Sequence, residues 1–265
     1  MSDLSPVLFE ISPDGVAMVI LNRPERKNAF DEDMVDALSE IFETLRVAEH
    51  VRIVFIKGAG TTFCAGADLE WMQRQAHHSH TENQADAFAL ATMLHRLHSL
   101  PQFTVALVQG GAFGGGAGLI AACDYAVAID GASFCFSEVR LGLTPATISP
   151  YVIEAIGPRQ ARALFATAMP FNAQRAFELG LIQELAVDLN DLSKREERLA
   201  DLAFTAAPGA VLASKLLVRD IMGQSIDTAL LHETARRIAE RRASAEGLEG
   251  VAAFLDKRTP NWAPQ

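Results

Sequence analysis

The stretch VQGGAFGGGAGLIAACDYAVA, Val108 to Ala128, carries six glycines, all within its first eleven residues. Glycine inside a regular element costs roughly 0.5–1 kcal/mol relative to alanine, so the concentration calls for a chemical reason. A P-loop needs G-x-x-x-x-G-K-S/T, and no lysine follows these glycines. No placement fits G-x-G-x-x-G, and no acidic residue stands after a following strand where a dinucleotide site uses one. The hydrolase elbow G-x-S-x-G is absent. Close approach remains: without Cβ, a backbone N–H can reach a ligand. A helix start aims further N–H groups and a partial positive charge at the same point. Gly114-Gly115-Gly116 ahead of AGLIAA is one such start. Gly66 and Ala67 in FCAGADL form a second, just after the strand-like run RIVFIKG. Two helix starts that each follow a strand of one sheet can converge on one oxygen and stabilise charge developing on a carbonyl.

Other reactive side chains are weaker candidates. His77, His78 and His80 in HHSH could bind a metal, but their stretch is polar and brings no carboxylate or cysteine with it, so it reads as a solvent loop. His95 and His98 share a helix face, where packing or surface roles suffice. No metal site is expected. Cys64, Cys123 and Cys135 lie in apolar surroundings with no C-x-x-C spacing, which suggests reduced thiols. The basic stretches RPERK (Arg23 to Lys27) and DKR (Asp256 to Arg258) could hold a small anion or be solvated charge.

The elements that must position these groups alternate early in the chain. VLFEI and VAMVIL around SPDG read as a hairpin, and RIVFIKG, FTVALVQ, YAVAI and SFCFSE as further strands. DEDMVDALSEIFETLRVAE has Met34, Leu38, Ile41, Phe42 and Leu45 at helical spacing with acids in its first turn. ENQADAFALATMLHRLHSL is a helix that stops before Pro101. After Pro150 the pattern is helical except for LIQELA. The expectation is an α/β core over residues 1–200 and a helical region over 201–265 that serves oligomerisation. Of the 265 residues, 49% are apolar, and the net charge of −10 disfavours nucleic-acid binding. No apolar run is long enough for a membrane helix, and no basic or apolar leader precedes Arg23, so a cytoplasmic protein is expected.

NRPERKNAF, FCAGADL, GGAFGGGAGLIAACDYAVA, FSEVRLGL and AFELGLIQEL, in that order, resemble successive motifs of the crotonase family of enoyl-CoA hydratases and isomerases. The resemblance runs from about Val7 to Phe254. It implies a spiral of ββα units with a helical C-terminal trimerisation region, assembled as a homotrimer or homohexamer. It also implies acyl-CoA thioester substrates and no cofactor beyond the coenzyme A of the substrate. By position, the oxyanion N–H groups fall on Ala67 and Gly115. Family hydratases carry two glutamates: one corresponds to Glu138, while the other position holds Gly118. An acid used by dienoyl isomerases corresponds to Ala146.

CAGADLEWM, GGAFGGGAGL and SEVRLGLTPATISPYV are most similar to the bacterial methylglutaconyl-CoA and isohexenylglutaconyl-CoA hydratases. The implied reaction adds water to, or removes it from, a branched and possibly carboxylated 2-enoyl-CoA through Glu138 alone. Glu138 takes the water's proton and returns it to the α-carbon, and Gly118 leaves room for the acyl branch. A Δ3–Δ2 enoyl-CoA isomerase is the alternative, since it needs one proton-moving carboxylate. An RNA-binding or inactive homologue is a lesser one. For the CoA moiety the resemblance implies Arg23 and Lys27, with Phe254 and Lys257 reaching a neighbouring subunit's ligand. Ala65, Asp68, Leu69 and Gly114 belong to the two amide-bearing motifs. Trp71, Met72 and Phe113 either line the acyl pocket or pack in the core. Arg140 pairs with Glu138, holds a substrate carboxylate or makes a structural bridge.

Overall fold

The computed structural model describes residues 5–263, and the chain divides into two compact units, Met1–Glu197 and Arg198–Gln265. In the first unit, β1 (Val7–Ile11) and β2 (Val16–Leu21) form the expected antiparallel hairpin, pairing Val7 with Leu21 and Ile11 with Ala17. From β2 onward the main sheet is parallel. β3 (Ile53–Gly58) and β4 (Phe103–Val108) follow, and β5 (Gly111–Phe113) leaves to start a second sheet. β6 (Tyr125–Ile129) returns to the main sheet, β7 (Ser133–Cys135) pairs with β5, and β8 (Phe171–Asn172) pairs with β7. With β9 (Glu184–Ala186) the orders are β1-β2-β3-β4-β6-β9 and β5-β7-β8. The inner strands are mostly buried and mostly apolar, as suits parallel strands covered on both faces.

Helices supply the cover. α1 (Glu32–Arg46) buries Met34, Val35, Leu38, Phe42 and Leu45 and begins at Asp31, whose side chain accepts from the Met34 N–H at 3.0 Å. Ile41, on the expected stripe, is half-buried at its edge. α2 (Leu69–Gln75) and α3 (His80–His98) come next, and α3 starts two residues earlier than the sequence suggests because Ser79 and Glu82 form a capping box. α4 (Gly115–Ala121) follows β5. α5 (Ser149–Thr167) is broken at Gly157 and Pro158, and α6 (Ala173–Leu179) precedes β9. The strand expected over SFCFSE ends at Cys135, and the chain then forms a 3-10 turn over Glu138–Leu141. α7 (Leu189–Thr205) contains the boundary between the units.

The second unit continues with α8 (Pro208–Ile221), α9 (Thr228–Ala243) and α10 (Ala245–Leu255). Within it the Glu246 carboxylate accepts from the Gly209 N–H at 2.9 Å and pairs with Arg241 at 2.5 Å, tying α8 to the start of α10. No single helix among the described residues is long and apolar enough to cross a membrane.

Candidate active site

Three chain segments meet at the C-terminal ends of β3 and β4. The loop after β3 lies beside β5: Phe63 and Cys64 N–H groups donate to Gly111 O at 3.0 and 3.1 Å, and Phe113 N–H donates to Cys64 O at 2.9 Å. Gly114 N–H donates to Cys135 O at 2.9 Å, which fastens the glycine turn to β7. On the other side, Phe30 N–H donates to Gly66 O at 2.7 Å and Asp68 N–H donates to Phe30 O at 2.8 Å. Ala67 lies between these two bonds, and its own N–H has no acceptor among the described residues. Neither has the N–H of Gly115, the first residue of α4. The two segments touch, since a Cβ on Gly66 would lie 3.0 Å from Phe113 O and 3.9 Å from Gly114 Cα.

Glu138 completes the group. A Cβ on Gly114 would sit 3.1 Å from Glu138 Oε1, and Gly114 has φ +50°, which a side chain would strain. Glu138 Oε2 is buried without a hydrogen-bond partner. Burial pushes the carboxyl above its ordinary pKa, partly offset by a backbone hydrogen bond. The arrangement therefore offers two unused N–H donors and an under-solvated carboxylate around the Gly114 turn. Such a set can stabilise an oxyanion and move a proton beside it. Cys64 is no nucleophile here, because burial pushes its thiol to about 12.

Several expected ligands are committed elsewhere. The Arg23 guanidinium donates to Ala29 O at 2.8 Å and pairs with Asp31 at 2.7 Å and Asp68 at 3.2 Å, so it braces the loop instead of offering itself to a phosphate. Asp68, 4% exposed, caps α2 by accepting from the N–H groups of Glu70 and Trp71 at 2.8 and 3.3 Å. Arg140 forms no ion pair among the described residues; it donates to Ala168 O at 2.7 Å, so its structural role runs through a carbonyl and not through Glu138. Trp71 is a core residue, although its indole N–H is buried without a partner. The Phe113 ring folds over Gly111, leaving its cover only partial.

Other expected residues stay accessible. Leu69 is 72% exposed, Met72 and Ala65 are half-buried, and Ala65 N–H donates to Lys27 O at 3.0 Å. Lys27 is exposed. Phe254, 82% exposed, and Lys257 belong to the second unit.

The expected room beside Gly118 does not exist. A Cβ there would fall 2.6 Å from Ile148 Cβ and closer still to Ile148 Cγ2, and Ile148 is only 1% exposed. The position of the missing second carboxylate is therefore filled by an apolar side chain from the loop before α5. Beside the Glu138 turn a groove of about 380 Å³ is lined by Val139, Thr144, Pro145, Ile153 and Phe165, with Arg162 at its side. Arg162 is exposed and forms no ion pair among the described residues. Of the histidines, His78 does have a carboxylate: its Nδ1 lies 3.1 Å from Asp86 of α3. His98 packs against Tyr151 with ring centroids 5.2 Å apart. No cluster of three metal-ligating side chains occurs among the described residues.

The enoyl-CoA hydratase/isomerase family model matches residues 12–265. The chain belongs to the enoyl-CoA hydratase/isomerase family. Among its relatives, the crotonyl-CoA hydratase of Syntrophomonas wolfei is 31% identical over 93% of this chain and 94% of that one. The enoyl-CoA hydratase ACTT6 of Alternaria alternata is 35% identical over 91% of this chain and 78% of its own. An enoyl-CoA hydratase from Shewanella pealeana, known from its crystal structure, superposes with a TM-score of 0.94 at 41% identity, covering 98% of this chain and 97% of that one. The family is consistent with an acyl-CoA substrate and with hydratase-type chemistry. Sequence reasoning missed Ile148 and the bracing role of Arg23; only the Asp68 cap had a readable signal, an aspartate directly before a helix.

Proposed function

We propose that this hydratase-family chain hydrates a branched, carboxylated 2-enoyl-CoA, of which 3-methylglutaconyl-CoA is an example, with Glu138 as its one acid–base group. The observation that carries the reading is the Glu138 carboxylate, partly desolvated and with Oε2 unpartnered, beside the Gly114 turn that presents the Gly115 amide and that the Ala67 segment packs against. Glu138 takes a proton from water while the water oxygen bonds to the β-carbon. The alkene electrons move through the α-carbon onto the thioester oxygen, held by the two amides. The proton on Glu138 then passes to the α-carbon as the enolate collapses, and the carboxylate is regenerated. One water is thus added across the double bond, and the reverse sequence removes it.

The groove beside the Glu138 turn supports the choice of acyl chain, because its walls are apolar and Arg162 supplies a cation for a distal carboxylate. Lys27 remains a candidate for the CoA phosphates, and Phe254 and Lys257 for a neighbouring subunit's ligand. Exposed Leu248, Val251 and Leu255 on one side of α10 support assembly into a trimer or hexamer.

The Ile148 seat over Gly118 favours a second reading, Δ3–Δ2 isomerisation, in which Glu138 removes an α-proton and returns it at the γ-carbon. Incubation with matched 2-enoyl and 3-enoyl thioesters separates the two. Hydration erases the near-ultraviolet band of the conjugated thioester, and isomerisation of the 3-enoyl compound creates it. Among straight, branched and carboxylated 2-enoyl-CoA compounds, the carboxylated branched one is expected to react with the highest kcat/KM. In Arg162→Gln, KM for that substrate alone is expected to rise about tenfold, the scale of one charge-assisted contact. An equal effect on uncharged acyl chains contradicts the carboxylate assignment.

A further inference from the structure

We propose that Phe30, locked in place by Arg23, is the spacer that sets the separation and direction of the Ala67 and Gly115 amides. This rests on the oxyanion reading of those amides and extends it to the groups that hold them.

Phe30 touches both amide-bearing segments. Its backbone brackets Ala67, donating to Gly66 O at 2.7 Å and accepting from Asp68 N–H at 2.8 Å. Its ring lies under the first residue of α4: a Cβ on Gly115 would meet Phe30 Cε2 at 3.0 Å and Cδ2 at 3.1 Å. Phe30 is 1% exposed and belongs to the hydrophobic core, so neither its ring nor its backbone is free to shift. One residue thus fixes two amides that lie about fifty positions apart in the chain.

Arg23 fixes Phe30 in turn. Its guanidinium holds the residue before Phe30 through Ala29 O at 2.8 Å and the residue after it through Asp31 at 2.7 Å. The other end of the fork reaches Asp68 at 3.2 Å, the residue after Ala67. The two sides of the bracket are therefore cross-linked by a planar, permanently charged group with little exposure to solvent. Asn28 supports the same segment from behind: its Nδ2 donates to Ala59 O at 2.9 Å and Thr62 O at 2.8 Å, while its Oδ1 accepts from Arg23 N–H at 2.9 Å. A lysine at position 23 would keep the charge and lose the fork.

The test compares wild type, Phe30→Leu, Arg23→Lys and Glu138→Gln with a substrate carrying a ¹³C-labelled thioester carbonyl. The readouts are kcat, KM, melting temperature and the shift of the carbonyl resonance on binding. Misplacing a reacting group by about 1 Å costs on the order of 100-fold, so Phe30→Leu is expected to lose at least about tenfold in kcat. KM should change much less, and the bound carbonyl shift should shrink. Arg23→Lys should show the same pattern more weakly, which keeps the test decisive if Phe30→Leu does not fold. Glu138→Gln should lose kcat yet keep the full carbonyl shift. A full carbonyl shift and wild-type kcat in both Phe30→Leu and Arg23→Lys overturn the spacer assignment while leaving the oxyanion reading intact. The lack of a carbonyl shift in wild type overturns the oxyanion reading itself.

Discussion

Glu138, the proposed acid–base group, sets function against stability at the scale of one residue. Burial raises its carboxyl pKa, so the folded state holds the proton more tightly than the unfolded state does. Between the unfolded and folded values the folded protein binds more protons, and stability falls as pH rises through that window. Above the ordinary glutamate range the group is thus a net cost to folding. Glu138→Gln removes that cost, so the variant is expected to melt above wild type at pH 7. The difference should vanish as pH drops below the ordinary glutamate range. The same variant is expected to lose about 10²–10⁴-fold in kcat, the span usual for a general acid–base group. Paired melting curves and rate assays across pH check both effects. Gly114→Ala belongs to the same scale. It forces a side chain into φ +50° and against Glu138 Oε1, so activity should fall even where the far-ultraviolet spectrum is unchanged.

Elements bring these groups together through short backbone ladders. The Cys64–Ala112 and Phe30–Ala67 bridges hold three segments in register around the amides. α4 packs so closely on the loop before α5 that Gly118 has no space for a methyl group. Gly118→Ala should therefore lower stability by about 1–3 kcal/mol, as overpacking of a filled core does. Ile148→Gly in the same chain should relieve the clash, because Ile148 Cβ itself is part of it; thermal melts of the single and double variants check this. β2, β3, β4 and β6 were legible as apolar runs, and α1 as a stripe with an acidic start. β7 was legible within SFCFSE, read three residues too long, and β9 within LIQELA, whereas β5 and β8 were not, since three residues in a glycine-rich stretch and two before a helix leave no period in the sequence. Glu138, Ala67 and Gly115 could be picked out as candidates because their motifs are local. Ile148 could not, because its role is a contact with a glycine thirty residues earlier. Arg23 in RPERK reads as an anion site or as solvated charge, and its bracing role is invisible until folding brings Asp31 and Asp68 to it.

For the whole molecule, the first unit holds the amides and Glu138, and the second presents exposed apolar side chains on its helices. Leu248, Val251 and Leu255 follow helical spacing on α10, and such a face is expected to be covered in solution. Sedimentation should give a mass of three or six chains, and Val251→Glu should shift it toward one; a wild-type monomer contradicts the assembly. In the proposed reaction Glu138 moves a proton at the α-carbon of a thioester whose oxygen rests on the Ala67 and Gly115 amides. The most direct measurement is deuterium incorporation at that carbon when wild type and Glu138→Gln turn over a 2-enoyl-CoA in D₂O. Wild type is expected to place deuterium there at least about 100-fold faster than the variant, in line with loss of a general acid–base group, at matched substrate occupancy. Equal rates in the two proteins would contradict the account.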